Sequence, residues 1–359
     1  MKVGIVTFHR AHNYGAVLQC FALQQTLKSL GTEVEVIDYY CRTVYEGYWN
    51  GLPRIMFKHP VRSIKNIVIS LLWGAKYWKR YSSFNRFINT KLNLSTPYTK
   101  DNHLELNKYD AIIYGSDQIW NDNITNGDGI FYGDGFDNVK IAYAASAGKD
   151  ESNVSKHKNQ ILTFKAIGLR EKSLDAKLAL LKNLSRTVVL DPTLLLDAQD
   201  WIENLNLQKR PVIDNYVLVY PLRERDKTVE MARKMADRLG YRLIEIGARI
   251  TRKTPEGRLE NVDPIEFLSY IYNADYVVTN SFHGTVFSII FNKNFYTISL
   301  NDGEDGRSLN LLEDVNLKGR LKKIGEELIP VDINYTDTLA FINARRKTSL
   351  KFIKENLNI

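Results

Sequence analysis

The chain has 359 residues, of which 44% are hydrophobic and 25% are charged, and its formal net charge is +8. This composition is typical of a soluble globular protein and excludes a disordered, fibrous or disulfide-built one. Because the length exceeds the usual size of one hydrophobic core, we expect two domains with a cleft between them.

The chain begins with a strand-like segment rather than with an export signal. Met1 leads directly into "KVGIVTF", without the basic start, long apolar core and small-residue cleavage site of a secretory signal. No apolar run reaches the roughly 18 to 20 residues that a membrane-spanning helix needs. We therefore expect a cytoplasmic protein. Cys20 and Cys41 accompany no CxxC motif or Cys/His cluster, which predicts reduced packing residues and no metal site.

The first half alternates predicted strands and helices. "KVGIVTF" predicts a strand, "GAVLQCFALQQTLKSLG" has apolar residues at helical spacing, and "EVEVIDYY" predicts the next strand. Further strands are predicted at 109–115, 140–148, 164–171 and 186–193. Because these strands are apolar on both faces and separated by helices, they predict a mostly parallel sheet that is covered on both sides.

Between these strands lies a segment with an unusual charge balance. Residues 47–100 contain no Asp or Glu. The segment combines the basic residues Arg54, Lys58, Arg62, Lys65, Lys76, Lys79, Arg80, Arg86, Lys91 and Lys100 with the aromatic residues Trp49, Phe57, Trp73, Tyr77, Trp78, Tyr81 and Phe84. Three interpretations are open: a helical insertion with inward-packed aromatics, a contact with an anionic membrane surface, or a site for single-stranded nucleic acid.

A second alternation of strands and helices begins near Tyr216. "YVLVYPL", "YRLIEIG", "DYVVT" and "NFYTISL" predict strands, and one intervening helix is expected to begin at Asp263 and Pro264. The chain therefore predicts two similar α/β domains, at 1–200 and 210–335, with a basic aromatic insertion in the first. A C-terminal helix at 336–359 could pack on either domain.

Clusters of polar residues follow several predicted strands. These clusters are "HRAHNYGAVLQ", "GSDQIWN", "REKS", "DPT" and "NSFHGT". In open parallel sheets, ligands bind at the carboxyl ends of the strands, where loops and helix N-termini converge. The sequence therefore predicts a site assembled from these clusters.

His283 lies at the junction between a predicted strand and a predicted helix. The N-terminus of that helix presents unpaired N–H groups and partial positive charge, so the amides of Gly284 and Thr285 could bind an anion. The same potential disfavours the imidazolium form, which leaves a neutral imidazole able to move a proton. The alternative is that His283 caps the helix or satisfies a buried carbonyl group.

Two N-terminal clusters have a functional and a structural interpretation. In "GSDQIWN", Ser116, Asp117, Gln118 and Asn121 crowd polar groups after a strand, as in a ligand site or as in an Asx turn. In "NYG", Asn13 and Gly15 come at the start of the first helix, where they would face an anion or cap the helix.

The loop "NDGEDGRSLNLL" contains Arg307, which predicts either a bidentate clamp for carboxylate or phosphate or a solvent-exposed arginine. Motifs for several other chemistries are missing from the sequence. There is no GxGxxG after the first strand, no GxxxxGK[ST], no GxSxG, no HExxH and no carboxylate-rich metal loop. These absences disfavour NAD, ATP, serine hydrolase and zinc chemistry together.

Five segments together carry a resemblance to a known family. They are "FHRAHNYGAVLQCFALQQTL", "YDAIIYGSDQIWN", "IGLREKS", "VVLDPTLLL" and "NADYVVTNSFHGTVFSIIF" with a following loop arginine. In this order they resemble the polysaccharide pyruvyl transferase family. The resemblance implies an α/β fold with two Rossmann-like domains, similar to GT-B glycosyltransferases, and an active site in the interdomain cleft. It also implies transfer of the carboxyvinyl skeleton of phosphoenolpyruvate to sugar hydroxyls, with no cofactor besides that donor.

The resemblance also implies roles for individual residues. His283 matches the motif histidine, the expected acid/base. The donor-binding residues would be Asn280, Ser281, Gly284, Thr285, Arg307 and Arg170. Many members carry an arginine where this chain has Ser281, so Arg307, Arg170 or Lys293 would have to supply the missing cation. The acceptor-binding residues would be Asn13, Tyr14, Ser116, Asp117, Gln118 and Asn121.

The sequence thus predicts a pyruvyl transferase that acts on a capsule, exopolysaccharide or cell-wall repeat unit. If the acceptor is lipid-linked, residues 47–100 would hold the enzyme at the inner face of the cytoplasmic membrane. We do not expect nucleic acid as a partner. Two alternatives remain: a nucleotide-sugar glycosyltransferase of GT-B-like fold, and a non-catalytic, membrane-associated partner in polysaccharide assembly.

Overall fold

The computed structural model describes residues 1–48, 60–98, 108–148, 152–178, 184–207, 215–251, 253–301 and 305–359. Over these residues the chain forms two parallel sheets of six strands each. The strands are β1 Lys2–Val6, β2 Glu33–Val36, β3 Ala111–Tyr114, β4 Val139–Ala145, β5 Ala166–Leu169, β6 Arg186–Val188, β7 Tyr216–Tyr220, β8 Arg242–Ile246, β9 Arg258–Leu259, β10 Tyr276–Thr279, β11 Asn294–Ser299 and β12 Leu321–Lys323.

Both sheets have the strand order of an open α/β fold. The first runs β2-β1-β3-β4-β5-β6 and the second β12-β11-β10-β7-β8-β9. Central strands such as β3 and β7 are buried along their whole length, as expected for sheets covered on both faces. Each predicted strand is present, but the strand predicted at 186–193 ends at Val188 and is followed by a 3-10 turn at Pro192–Leu194. The short edge strands β9 and β12 were not predicted.

Helices connect the strands and cover the sheets. They are α1 Tyr14–Ser29, α2 Arg42–Tyr48, α3 Pro60–Lys91, α4 Asp122–Thr125, α5 Ser152–Lys156, α6 Lys158–Ile161, α7 Lys172–Leu178, α8 Ala198–Leu205, α9 Arg225–Leu239, α10 Pro264–Asn273, α11 Phe282–Ile290, α12 Gly306–Asp314 and α13 Thr336–Leu357. Local signals explain several boundaries. Asp263 and Glu266 form a capping box with Pro264 at the start of α10, and Gly240 ends α9 with a φ of 68°. In the described part of the chain, no helix has the length and apolar character needed to cross a bilayer.

The last helix, α13, returns to the first half of the molecule. Arg345 donates a hydrogen bond to the carbonyl oxygen of Val188, and Arg346 donates one to that of Leu194. The Ser349 hydroxyl accepts a hydrogen bond from the Leu190 amide in the same region. The sequence left the position of this helix open, and the structure packs it against the segment that follows β6.

Aromatic packing joins the two halves beneath the cleft. The ring of Tyr14, at the start of α1, stacks on Phe267 of α10 with centroids 4.2 Å apart, and the Tyr14 hydroxyl donates to the Val262 carbonyl. One hydrophobic cluster includes buried residues from both sheets and from α13. Because the two sheets share this packing, the carboxyl ends of β1 and β10 are brought to opposite sides of one cleft.

Candidate active site

A cleft of about 860 Å³ lies between the two halves. Its walls come from the segment after β1, the C-terminal part of α3, the loop after β3, the segment after β7 and the N-terminal ends of α11 and α12. The lining residues include Phe8, His12, Asn13, Val44, Tyr77, Trp78, Arg80, Tyr81, Asp117, Gln118, Ile124, Leu222, Arg223, Arg249, Asn280, Ser281, Phe282, His283, Asp305, Arg307 and Ser308. The site therefore lies at the carboxyl ends of parallel strands, as expected for this class of fold.

His283 lies in the first turn of α11 and is 7% exposed. The helix begins there because β10 ends at Thr279 and the Ser281 side chain accepts a hydrogen bond from the Gly284 amide. The imidazole reaches across to the first half of the molecule, where it packs against Gly15 so closely that a Cβ at that position would overlap the ring. Gly15 is therefore required for the ring to occupy this position.

Asp191 approaches the same imidazole from the end of β6. Its Oδ2 lies 3.6 Å from His283 Nε2, and its side chain is 1% exposed. Oδ2 also accepts a hydrogen bond from Arg170 Nη1 at 3.0 Å, and Oδ1 accepts from the Thr193 amide and hydroxyl. Burial alone would raise the pKa of Asp191, but His283, Arg170 and the Thr193 hydroxyl together hold it below its ordinary value. Asp191 is therefore a carboxylate at neutral pH.

Two arginines flank the Phe282 ring beside His283. The guanidinium carbon of Arg170 lies 5.3 Å from the centroid of that ring, and that of Arg307 lies 5.6 Å from it. Arg170 is buried, and its Nη2 has no hydrogen-bond partner among the described residues. The sequence placed Arg307 in a loop, but it lies in the first turn of α12. We call Asp191, Arg170, His283 and Arg307 the charged cluster.

The remaining predicted donor residues differ in their accessibility. Ser281 lines the cleft as the cap of α11. Asn280 also lines it, but its side-chain oxygen accepts from the Leu222 amide and its nitrogen donates to the Arg223 carbonyl, so it holds the segment after β7 in place. Gly284 and Thr285 are buried inside the helix, where the Thr285 hydroxyl bonds to Ser281 and Thr297, so neither lines the cleft.

The predicted acceptor residues divide in the same way. Asp117, Gln118 and Asn13 line the cleft, although Asn13 uses its side-chain oxygen to cap α1. Tyr14 is buried in the packing between the halves, so its hydroxyl cannot reach an acceptor there. Ser116 is fully buried and donates toward Ala144 and Asp191, which makes it a support of the charged cluster. Asn121 caps α4.

Several polar residues in the cleft, or in the smaller cavity beside it, have no role predicted from the sequence. Asp191 belongs to the quoted "DPT" cluster and His12 to "HRAHNYG", so their strand-end positions were a usable signal. Arg223 and Arg249 also line the cleft and add positive charge to it. They lie in segments without a recognisable motif, and a single sequence does not show that the fold brings them to the site. The described residues contain no group of three or more His, Cys, Asp or Glu side chains arranged for a metal ion.

Part of the basic aromatic segment belongs to the cleft and to the joint between the halves. Arg80 is 8% exposed, and its guanidinium donates to the backbone carbonyls of Gly247, Ala248 and Glu260 in the second half. Lys76 donates to the Thr254 hydroxyl of the same half. Arg80 is thus unavailable to a membrane or a nucleic acid. Arg54, Lys58, Trp49 and Phe57 lie outside the described residues, and membrane contact by residues 47–100 stays a prediction.

The architecture places the protein in a broad structural class. A UDP-GlcNAc 2-epimerase from Methanocaldococcus jannaschii is 13% identical, over 96% of this chain and 92% of its own length, with a TM-score of 0.50. A protein described as a UDP-N-acetylglucosamine 2-epimerase from Listeria monocytogenes is 11% identical, over 99% and 89%, with a TM-score of 0.51. At these identities the likeness concerns the fold alone. Together with the two parallel sheets, it identifies a GT-B-like fold of two Rossmann-like domains.

The family follows from the sequence itself. The model of the polysaccharide pyruvyl transferase family matches residues 13–302, which include most of the cleft-lining residues of both halves but not His12 or Arg307. The chain therefore belongs to the polysaccharide pyruvyl transferase family, and it is a transferase that modifies polysaccharides. No curated protein sequence matches it.

Proposed function

We propose that this transferase moves a pyruvyl group from phosphoenolpyruvate to two hydroxyls of a sugar in a surface polysaccharide or lipid-linked repeat unit. The product is a cyclic pyruvate ketal, and inorganic phosphate is released. The observation that carries this proposal is the charged cluster, in which two arginines and a histidine converge on Phe282 at the N-terminus of α11.

The charged cluster suits a small, highly anionic donor. Phosphoenolpyruvate carries a carboxylate and a phosphate, and guanidinium groups bind both in a bidentate manner. Arg170 has a buried Nη2 that makes no hydrogen bond among the described residues, with the Asp117 carboxylate 3.9 Å away. Arg307 of α12 lies over the Phe282 ring that Arg170 also contacts. The helix N-terminus adds backbone N–H groups and partial positive charge. These two arginines would supply the cation that Ser281 does not.

His283 is the proposed group for proton transfer. In the reaction the methylene carbon gains one proton, the adjacent carbon accepts the two sugar oxygens, and the bond from that carbon to the phosphate oxygen breaks. The two hydroxyls lose two protons. One proton is matched by the proton that the methylene carbon gains as it becomes a methyl group, and the other ends on the released phosphate. Asp191 Oδ2 lies 3.6 Å from Nε2 and would help to orient the imidazole.

Donor selectivity tests the proposal directly. We would measure thermal unfolding with millimolar phosphoenolpyruvate and, separately, with UDP-, GDP- and CMP-sugars. A donor at about 100 times its Kd adds about 2.7 kcal/mol to the free energy of unfolding. We expect stabilisation by phosphoenolpyruvate and its loss in Arg307→Gln. Stabilisation by a nucleotide sugar alone would instead indicate a glycosyltransferase.

A further inference from the structure

A row of aromatic side chains leads from the interior of the cleft to its rim. His12 stacks on Phe84 with ring centroids 5.3 Å apart, and Tyr81 lies 5.0 Å from His12. Trp78 meets Tyr81 edge to face at 5.5 Å. His12, Tyr81 and Trp78 all line the cleft, and we call them the aromatic shelf. The shelf belongs to the same cavity as His283 but comes from α3 and the segment after β1.

The outer end of the aromatic shelf is open to solvent. Trp78 is 51% exposed, although large aromatic side chains are usually well buried. Its position is supported from behind, because Tyr81 contacts the indole and the Tyr81 hydroxyl is 2.9 Å from that of Tyr45. A supported, half-exposed indole in a cleft is suited to stack on the apolar face of a ligand.

The inner end of the aromatic shelf has an unsatisfied polar atom. His12 is 8% exposed, and its Nε2 has no hydrogen-bond partner among the described residues. A buried polar atom without a partner costs about 1–3 kcal/mol, so a ligand group that bonds to it gains affinity. Burial and the charge of Arg80 lower the pKa of His12 to about 4, so the imidazole is neutral at pH 7. A neutral imidazole bonds a hydroxyl without requiring a charged partner.

We propose that the aromatic shelf is the subsite for the acceptor sugar, with the apolar face of a pyranose ring on Trp78 and a hydroxyl at His12 Nε2. The inference rests on the proposed function, because it assigns a place to the second substrate of that reaction. A neutral ligand with both C–H faces and hydroxyls matches an aromatic platform beside a neutral imidazole. The cleft of about 860 Å³ leaves room for such a ring beside a donor as small as phosphoenolpyruvate.

A membrane surface is the competing occupant of the exposed indole. It is less consistent with the structure, because Trp78 and Tyr77 line the cleft and two of the neighbouring cations of α3, Lys76 and Arg80, bond within the protein. Arg80 bonds to carbonyl groups of the second half, and Lys76 bonds to Thr254 there. The shelf is therefore directed at the substrate cavity.

Saturation-transfer NMR with simple glycosides tests the subsite. The probes are the methyl glycosides of glucose, galactose, mannose and N-acetylglucosamine, each with phosphoenolpyruvate present. We expect at least one of them to receive saturation, strongest at the C–H protons of one ring face, and we expect Trp78→Ala to lower the signal at least fivefold. His12→Phe should weaken it as well. Lys79→Ala is the matched control, because Lys79 is an exposed neighbour that does not line the cleft.

The outcomes separate this inference from the proposed function. Absence of a signal from every glycoside, or a signal that Trp78→Ala leaves unchanged, would overturn the subsite even if phosphoenolpyruvate still stabilises the protein. Loss of sedimentation with phosphatidylglycerol vesicles in Trp78→Ala, with an unchanged glycoside signal, would also overturn it and would assign the indole to a membrane. Failure of phosphoenolpyruvate to stabilise the wild type would contradict the proposed function instead.

Discussion

The charged cluster and the aromatic shelf differ in burial and in polarity. His283 and Arg307 line the same cleft as the shelf, whereas Asp191 and Arg170 line a smaller cavity beside Phe282 and Arg307. The side chains of Asp191 and Arg170 are 1% and 4% exposed, whereas Trp78 is 51% exposed. A buried ion network is fixed before any ligand arrives, so its geometry can serve a chemical step. Trp78 is half-exposed, so its indole can meet different ligand faces. Substitutions in the charged cluster should therefore affect turnover and stability. Those on the aromatic shelf should affect affinity for the acceptor sugar.

The largest effect is expected at the proton-transferring group. His283→Asn keeps a polar side chain at the start of α11 but removes the group that exchanges the proton. We expect turnover, followed as acceptor-dependent phosphate release, to fall about 10²- to 10⁴-fold. His157→Asn is the control, because His157 is a buried histidine that does not line the cleft. Equal activity of His283→Asn and the wild type would show that His283 does not take part in the chemical step.

Asp191→Asn tests whether the charged cluster is also a structural unit. The substitution removes the 3.0 Å carboxylate partner of the buried Arg170 guanidinium, which then keeps only Glu171 as a hydrogen-bonded carboxylate. Breaking a buried ion pair in this way costs about 3–5 kcal/mol. Denaturant unfolding at pH 7 should show this loss. A change below about 0.5 kcal/mol would mean that Arg170 does not depend on this carboxylate.

Arg80→Ala tests whether the α3 side of the cleft is fixed to the second half. The truncation removes the donors to the carbonyls of Gly247, Ala248 and Glu260. We expect a loss of about 3 kcal/mol in the free energy of unfolding, because buried carbonyl groups lose their partner. Lys79→Ala, an exposed neighbour, should change it by less than about 0.5 kcal/mol. Equal stability of the two variants would contradict the anchoring role.

We expect the free energy of unfolding to depend on pH through His12 of the aromatic shelf. The pKa of His12 is lowered to about 4 in the folded protein, against about 6.5 in an unfolded chain. Between these values only the unfolded state takes up the proton, so the stabilisation present above pH 6.5 is lost as the pH falls towards 4. His12→Phe keeps the stack on Phe84 and removes this titration. Relative to that variant, the wild type should lose up to roughly 3 kcal/mol of its free energy of unfolding as the pH falls from 7 to 4.

Denaturant unfolding of both proteins at the two pH values measures this difference. Other groups with lowered pKa, such as Asp38, titrate in both proteins and cancel in the comparison. Parallel stability curves for wild type and His12→Phe would show that His12 is not held in its neutral form.

Much of the charged cluster could be predicted from the sequence. His283, Arg170 and Asp191 all follow apolar strands, and the carboxyl ends of parallel strands converge, so their motifs pointed to one site. The pairing of Asp191 with His283 could not be predicted, because it joins residues 92 positions apart across two sheets that pack through Tyr14 and Phe267. Tyr14 and Ser116 were predicted to bind the acceptor, but both are buried and support the packing around the site.

The aromatic shelf was much less predictable. Trp78, Tyr81 and Arg80 belong to a 32-residue helix whose composition favours a helical insertion or a membrane surface over a nucleic-acid site. Which of its faces is buried depends on the second half, and specifically on the carbonyl groups that Arg80 reaches. A single sequence contains the aromatic pattern of α3 but no information about that contact. Arg307 illustrates the same limit, because the glycines before it suggested a loop where α12 begins.

The proposed function requires phosphoenolpyruvate to bind the charged cluster and not the aromatic shelf. Isothermal titration of phosphoenolpyruvate into the wild type, Arg307→Gln and Trp78→Ala tests it most directly. We expect the wild type and Trp78→Ala to bind with the same Kd within about twofold, and Arg307→Gln to bind at least about tenfold more weakly, a loss of about 1.4 kcal/mol. Equal weakening in both variants, or no binding to the wild type, would contradict the account.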